Sequence, residues 1–450
     1  MPLPGALERG PGLLGPANRA SYPRRFKESD ATMSSRETGS PALDVEARPS
    51  SPAEASAKER VALTTTSSAH FLHDGIADSL YVLLPIWSQA FGLNYTQVGS
   101  LKTAYSAAMA VFQMPAGVLA ERWGERALLV GGTLLAGAAF AGMAFANGYA
   151  TLFLIILAIG LGSAVQHPLA SSIISSAYPA ERRRSALGIY NFAGDLGKMV
   201  VAFSVAATAG AIGWHATVIG YGSLVAIAGI VLSLVLFRYS LGKLRASGAA
   251  ASTHAAPSAG LQGLRLTDAR GFTLLSCIHA VDSASRTGVL TLLPFVLLQK
   301  GASAPMIGLA LALIFAGGAV GKLACGLLAD RVGILRTVIL TELATASILV
   351  AVLLAPLSTV LWLVPLLGIA LNGTSSVLYG TVTDFVHADR QARAFGLFYT
   401  IGSAAGGSAP LLFGALSDSI GLTQAIVGLA MVVLATLPLT LLLGPHLSSR

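Results

Sequence analysis

Long apolar runs separated by short charged turns fill the chain from about residue 66 onward. Each run holds about 20 residues or more, which is the length that an α-helix needs to cross the hydrocarbon core of a bilayer. A helix satisfies its own backbone hydrogen bonds, so it is stable in lipid where an open strand is not. The pattern predicts twelve membrane-spanning helices, at residues 66–91, 97–120, 127–146, 150–177, 185–210, 215–238, 271–299, 305–329, 335–356, 359–384, 392–416 and 422–444.

Composition also indicates an integral membrane protein. Hydrophobic residues make up 54% of the chain and charged residues only 11%, against roughly 25% charged residues in soluble domains, and the mean hydropathy is +0.70. The net charge of +8 is explained by topology rather than by nucleic acid, because Lys and Arg accumulate in cytoplasmic loops. The basic turns fall on one side of the predicted spans, with Lys300 alone on the other. We therefore expect a multi-pass protein of the inner (cytoplasmic) membrane with both termini in the cytoplasm.

The chain contains two copies of one helical block. Residues 117–126 read Gly-Val-Leu-Ala-Glu-Arg-Trp-Gly-Glu-Arg, and residues 326–335 read Gly-Leu-Leu-Ala-Asp-Arg-Val-Gly-Ile-Leu. The same offset of 209 residues relates His70 to His279. Duplicated membrane halves of this kind meet around a central cavity, with the binding site near the bilayer midplane. The predicted fold is an all-α integral membrane protein with twelve transmembrane helices in two pseudo-symmetric six-helix halves.

Shifts in composition predict five parts of the chain. Residues 1–65 are rich in Pro, Ser, Ala and Gly, and they lack the apolar surface to fold, so we expect a disordered cytoplasmic tail without a secretory signal. Residues 66–238 and 271–444 are the two halves. A flexible cytoplasmic linker at 239–270 joins them, and residues 445–450 form a short cytoplasmic C-terminal tail.

The first repeated loop resembles the signature loop of the major facilitator superfamily, Gly-x-x-x-Asp-Arg-x-Gly-Arg-Arg/Lys. It departs from the signature at Glu121, which replaces Asp, and at Glu125, which replaces a basic residue. The resemblance implies transport by alternating access, with the acidic side chain latching the halves at the N-terminus of the eleventh helix, where the helix dipole favours negative charge. The implied gating-loop residues are Gly117, Glu121, Arg122, Gly124, Arg126, Gly326, Asp330, Arg331 and Gly333.

Three stretches of the first half, at residues 70–75, 94–99 and 162–168, are similar to the fosmidomycin-resistance branch of that superfamily. This resemblance implies proton-driven efflux of a small compound, anions included. The fifth span departs from the pattern of antiporters in the superfamily, because its glycine-rich run at 194–198 has two charges and lacks Gly-Pro. We expect a secondary active transporter that performs proton-coupled efflux of a small organic solute. Two alternatives stay open, a proton-coupled importer of an organic anion and a transporter-like membrane receptor or scaffold.

Ionisable side chains inside the predicted spans are the candidate functional residues. A charge at membrane depth is costly, so such a residue faces a cavity, pairs with a partner and has a role. A carboxylate there is a candidate proton carrier, because burial favours its protonated form and a neighbouring cation favours its ionised form. The predicted proton-coupling residues are Asp74, Asp78, His70, His73, Asp195 and Asp282.

Cations in the same spans are candidates for binding an anionic substrate. Arg286 ranks first because its planar guanidinium holds a carboxylate or a phosphonate at two points, and Lys198 and His167 follow. A structural explanation stays open for each. Arg286 and Lys198 lie at helical spacing from an aspartate that can neutralise them, and His167 can satisfy backbone groups freed by the proline after it. Lys102 and Lys322 lie nearer to span ends and can snorkel to the interface, so they rank below the cations near the midplane.

No catalytic residue, metal ligand or cofactor is predicted. Gly317 and the pair Gly321-Lys322 do not have the spacing of a phosphate-binding loop, and Leu323 stands where Ser or Thr is needed. The expected partners are a small-molecule substrate, protons and the lipid bilayer, without nucleic acid. We expect a monomer that is not an enzyme.

Overall fold

Helix makes up nearly all of the part of the chain that the computed structural model describes, residues 52–243, 266–387 and 390–447. Short 3-10 turns extend three of the helices. The all-α prediction is confirmed. In chain order the helices are α1 (Pro52–Phe91), α2 (Tyr95–Trp123), α3 (Glu125–Gly142), α4 (Tyr149–Ser163), α5 (Gln166–Ala177), α6 (Ala180–Ile212), α7 (Trp214–Arg238), α8 (Ala269–Gln299), α9 (Ala304–Val332), α10 (Ile334–Leu354), α11 (Leu357–Thr381), α12 (Gln391–Ile420), α13 (Leu422–Leu434) and α14 (Thr436–Leu443).

Each of the twelve predicted spans coincides with helix. The fourth span is divided into α4 and α5, and the twelfth into α13 and α14. Among the described residues, nine helical segments are long and apolar enough to cross a membrane. The predicted spans outside that set are α1, α2 and α12. Several ionisable side chains of α1, among them His70, Asp74 and Asp78, interrupt its apolar sequence.

The first helix is longer than the sequence pattern predicts. It begins at Pro52 rather than at residue 66, so residues 52–65 are helical where we expected part of a disordered tail. Glu59 anchors this extension, because its carboxylate accepts a hydrogen bond at 2.8 Å from Arg182 at the start of α6. The rest of that tail (1–51), most of the predicted linker (244–265) and residues 448–450 lie outside the described residues, and the division into five parts stays a prediction.

Asp268 fixes the start of the second half. Its carboxylate caps α8 by accepting hydrogen bonds from the backbone N–H of Arg270 at 3.0 Å and of Gly271 at 3.1 Å, and it lies 2.5 Å from Nδ1 of His446. The bond from Gly271 is the main reason why the pKa of Asp268 lies below its usual value. Because the folded state lowers this pKa, the cap stabilises the fold above the ordinary pKa of Asp and is lost as the pH falls.

The halves contact one another through α2 with α12 and through α6 with α9. Small residues at equivalent positions permit both contacts. A Cβ at Gly99 of α2 would overlap the backbone of Pro410, and a Cβ at Gly308 of α9 would overlap Ala206. The two glycines are 209 residues apart. The internal duplication therefore extends to the packing between the halves.

Candidate functional site

A cavity of about 190 Å³ opens where five helices of both halves meet. Half of its lining side chains carry charge. Asp78, Asp195, Lys198 and Arg286 were predicted as site residues, and the structure brings these four together. The lining residues are Asp78 of α1, Asp195 and Lys198 of α6, Arg286 and Leu290 of α8, Phe315, Gly318, Ala319 and Lys322 of α9, and Asn372 of α11.

Asp74 is the centre of a buried polar cluster beside this cavity. Its Oδ1 accepts a hydrogen bond from Nδ1 of His73 at 3.0 Å and lies 3.2 Å from Nε2 of His70 and 3.7 Å from Nε2 of His167. Its Oδ2 lies 3.2 Å from Nζ of Lys198. Three imidazoles thus surround one carboxylate oxygen, and an ammonium group holds the other. The four-residue spacing on α1 places His70 beside Asp74, and α5 supplies His167.

A stacked aromatic ring fixes the orientation of His70. The ring stacks on Tyr190 with centroids 4.0 Å apart, and its Nδ1–H donates to the Tyr190 carbonyl at 2.8 Å. Gly194, one turn further along α6, lets the helices approach, since a Cβ there would lie 2.5 Å from Cε1 of His70. The second half repeats the stacking, with the His279 ring on Phe398 at a centroid distance of 4.1 Å.

A chain of ion pairs crosses from the first half to the second. Lys198 contacts both Asp74 and Asp195 at 3.2 Å, and Asp195 in turn lies 2.9 Å from Nζ of Lys322 on α9. The pairing of Asp195 with Lys198 matches the structural explanation left open above, yet both side chains also line the cavity. Lys322, which we ranked below the other cations, lines the cavity, and its ammonium group faces a carboxylate of the other half.

Lys102, which we ranked below the other cations because it can snorkel to the interface, is buried instead. Only 5% of its surface is exposed. Its Nζ lies 4.1 Å from the ring centroid of Tyr81, 4.9 Å from that of Tyr105 and 3.9 Å from Oδ1 of Asp78. The aromatic faces stabilise the desolvated ammonium group by cation–π attraction. Asp78 therefore has a cationic neighbour that comes from α2 rather than from its own helix.

Arg286 is one of two cations that the second half contributes to the cavity lining. Its Nη2 lies 3.6 Å from Oδ2 of Asp282, which is almost fully buried, and 3.5 Å from the hydroxyl of Ser283. The helical-spacing pair that the sequence left open is therefore formed. The guanidinium still reaches the cavity, and 22% of its side chain is exposed. Part of its donor capacity remains available to a ligand.

Glu342 on α10 is a further buried acid, which is not among the predicted site residues. This side chain is 3% exposed and has buried Thr341 and Thr345 nearby on the same helix. Its signal was present in the sequence, since it is an acidic residue inside a predicted span, which by itself marks a candidate site.

The two repeated loops have the same local structure. Gly124 ends α2 with φ of 83°, and Gly333 ends α9 with φ of 91°, a backbone region that favours glycine. Their N–H groups donate to the carbonyls of Ala120 at 2.9 Å and Ala329 at 3.0 Å. The shared turn explains why both loops need glycine at this position.

Most charged residues of these loops are exposed. Gly117, Glu121, Arg122, Asp330 and Arg331 are exposed, whereas Arg126 and Gly326 are half-buried. The guanidinium of Arg126 lies 5.1 Å from the ring centroid of Phe237. A latch formed by Glu121 stays a prediction for a conformation closed on this side.

A latch between the halves is present at the opposite end of α2. Oδ1 of Asp418 accepts a hydrogen bond from the Tyr95 N–H at 2.9 Å, and Oδ2 accepts from the N–H and the hydroxyl of Thr96 at 2.7 and 2.6 Å. An acid at the end of α12 thus caps the N-terminus of α2, where the helix dipole favours negative charge. The halves are joined on this side, away from the repeated loops.

Asp418→Ala is expected to open this side of the protein. Hydrogen bonds to charged groups contribute about 1.5–3 kcal/mol, so losing them should move the balance between open and closed states by about tenfold or more. Gln89 and Ser419 are exposed and can be replaced by cysteine and spin-labelled in a protein that lacks Cys277 and Cys325. Double electron–electron resonance should then show a longer distance between the two labels in Asp418→Ala than in the protein with Asp418. Asp384→Ala, at an exposed acid outside the cavity lining, is the matched control. An unchanged distance distribution in Asp418→Ala would contradict the latch.

Known proteins share this fold over most of the chain. A crystal structure of a bacterial homolog to the human lysosomal transporter Spinster, in an inward-facing and occupied conformation, superposes with a TM-score of 0.73 at 17% identity, covering 86% of this chain and 96% of that one. The hexuronate transporter of Bacillus subtilis is 22% identical over 359 residues, 76% of this chain and 84% of its own length. The 4-hydroxybenzoate transporter PcaK of Pseudomonas putida is 31% identical over 159 residues, and this match covers 34% of each chain.

The sequence profile of one family matches both halves. Residues 66–272 and 275–449 match the Major Facilitator Superfamily, in agreement with the duplicated helical halves, the paired glycine loops and the charged central cavity. The chain therefore belongs to the Major Facilitator Superfamily, as a multi-pass membrane transporter of a small molecule.

Proposed function

We propose that this protein is a proton-coupled transporter of a small organic anion. The supporting observation is the set of cations in the cavity lining, Lys198, Arg286 and Lys322. Asp78 and Asp195 line the cavity as well, and Asp74 and Asp282 pair with Lys198 and Arg286, so an anionic ligand binds by competing with these carboxylates. A small organic acid suits these cations, and the cavity volume of about 190 Å³ sets the scale of the solute.

Arg286 and Lys198 have different roles in this proposal. The guanidinium of Arg286 is planar and can hold both oxygens of a carboxylate. Lys198 is shared between Asp74 and Asp195, so a substrate anion that contacts Lys198 competes with these two aspartates. Substrate binding in the cavity and the state of the Asp74 cluster are thereby linked.

Proton coupling follows from this competition. A buried carboxylate that loses its cationic partner is stabilised by taking up a proton. When a substrate anion draws Lys198 away, the proton affinity of Asp74 therefore rises. The neighbouring imidazoles of His70, His73 and His167 can transfer the proton to it or from it. Asp78 is poised in the same way between the cavity and Lys102, and Asp195 and Asp282 are further proton carriers. Binding of anion and proton together is symport.

Uptake is accordingly the direction that this site supports best, with an inward proton gradient as the driving force. The two named relatives transport hydroxybenzoate and hexuronate according to their names, and both solutes are organic acids. Efflux is the second candidate, favoured by the resemblance of residues 70–75 and 162–168 to the fosmidomycin-resistance branch, whose anionic phosphonate the same cations can bind. Placement in the inner membrane with both termini in the cytoplasm, and a monomeric state, belong to the same proposal.

Ligand-induced thermal stabilisation tests the substrate class. A ligand stabilises the state that it binds, by about 2.7 kcal/mol at a hundredfold excess over its Kd. Purified protein should melt at a higher temperature with 4-hydroxybenzoate, glucuronate or a small phosphonate than with the neutral analogues 4-hydroxybenzamide and glucose. Equal stabilisation by an acid and its neutral analogue would contradict recognition of an anion.

A further inference from the structure

We propose that His70, Asp74 and His167 bind a divalent transition-metal ion, with Zn²⁺ the best match. One potential ligand atom from each residue lies within 4.8 Å of the other two. Tetrahedral Zn²⁺ with bonds of about 2.0–2.1 Å places its ligand atoms about 3.3 Å apart. The Asp74 oxygen lies 3.2 Å from Nε2 of His70 and 3.7 Å from Nε2 of His167, so two of the three edges already approach this geometry.

The surroundings of His70 fix the orientation of its ring and the tautomer that a metal ligand needs. Its Nδ1–H donates to the carbonyl of Tyr190, and this leaves the lone pair of the neutral ring on Nε2. That atom is buried, and in the part of the chain that the structure describes it has no hydrogen-bond partner. Histidines that bind metals are oriented in the same way, by a second-shell bond from the other ring nitrogen to a carbonyl or carboxylate. The stacked Tyr190 ring holds the imidazole in place.

The two oxygens of Asp74 separate the metal from the nearest cation. Oδ1 faces the histidines, and His73 donates to it at 3.0 Å, which fixes the carboxylate. Oδ2 faces Lys198 at 3.2 Å, and the positive charge of Lys198 is shared with Asp195. The metal therefore binds one oxygen while Lys198 keeps the other. Repulsion from the ammonium group lowers the affinity of the site without removing a ligand.

The site offers three protein ligands, as catalytic zinc sites do, whereas structural zinc sites have four. Three protein ligands leave the fourth position for water or an anion, and His167 provides the access route because 37% of its side chain is exposed. If Asp74 carries the coupled proton, as proposed above, a bound ion occupies that carboxylate and inhibits transport. Binding itself does not depend on that proposal and is measured without transport.

Calorimetry on the purified full-length chain tests the site, with Zn²⁺ as the titrant after removal of metals by a chelator. The unmodified protein should bind the ion at one site that His167→Ala weakens at least tenfold, and His167→Gln, which keeps more of the volume, should weaken it as well. His215→Ala, at an exposed histidine of α7, is the matched control and should leave this affinity unchanged. Co²⁺ in the same site should give the visible absorption of a four-coordinate ion.

The proposal is overturned if the protein shows no saturable Zn²⁺ binding, or if both His167 variants bind Zn²⁺ with the affinity of the unmodified protein. A loss of Zn²⁺ binding in His215→Ala that equals the loss in His167→Ala would also overturn it, since it would place the ion elsewhere. Melting temperatures of all variants, measured without metal, identify any variant that has failed to fold. Failure of the transport proposal leaves each of these outcomes unaffected.

Discussion

Asp78→Asn is expected to abolish accumulation of substrate against its gradient in proteoliposomes while preserving exchange of labelled for unlabelled substrate. Asparagine keeps the shape of the side chain and cannot carry a proton. Asp78 lines the cavity and has Lys102 as its buried cationic neighbour. Uphill transport needs the coupled proton, whereas exchange needs only the movement of the loaded cavity between the two sides.

The matched control for this variant is Asp384→Asn, at an exposed acid outside the cavity lining. It should retain both uphill accumulation and exchange. Full uphill transport by Asp78→Asn would remove Asp78 from the coupling role. Loss of exchange in a correctly folded Asp78→Asn protein would instead show that Asp78 acts in substrate movement.

Arg286→Lys is expected to raise the Kd for an organic anion by about tenfold or more, because a bidentate guanidinium bond is replaced by a single ammonium contact and charged hydrogen bonds contribute about 1.5–3 kcal/mol. The positive charge is kept, so the variant separates two-point recognition from simple attraction. Equilibrium binding of the acid that stabilises the protein most strongly is the measurement.

Arg270→Lys is the matched control on the same helix, at an exposed position outside the cavity lining. Its Kd should equal that of the unmodified protein. An Arg286→Lys protein with unaltered affinity would show that the guanidinium fork does not hold the substrate, and its pairing with Asp282 would then be its main role.

The duplication that is visible in two short loops extends to details of the site. An offset of 209 residues relates His70 to His279, and an offset of 208 relates Tyr190 to Phe398. The structure stacks each histidine on the matching ring. This much is predictable from sequence, because a repeated helical spacing places equivalent residues on equivalent faces.

The sequence pattern does not show which side chains on different helices contact one another. Lys102 and Lys322 lie near the ends of their predicted spans, and this position alone suggests contact with the membrane interface. In the structure each ammonium group instead lies near a carboxylate on another helix, Asp78 of α1 and Asp195 of α6. The grouping of His167 with the α1 residues likewise depends on how α5 packs on α1. Asp418 looks like an ordinary acid near a helix end, and only the close packing of α12 on α2 gives it a capping role.

Transport in sealed proteoliposomes under an imposed pH gradient tests the central claim most directly. With acid outside and no ATP, the vesicles should accumulate the stabilising organic acid above its external concentration, and a protonophore should abolish this. Protein-free vesicles and Asp78→Asn vesicles correct for passive entry of the protonated acid. Accumulation driven only by acid inside would assign the efflux direction. No protein-dependent accumulation under either gradient would contradict proton-coupled transport of an organic anion.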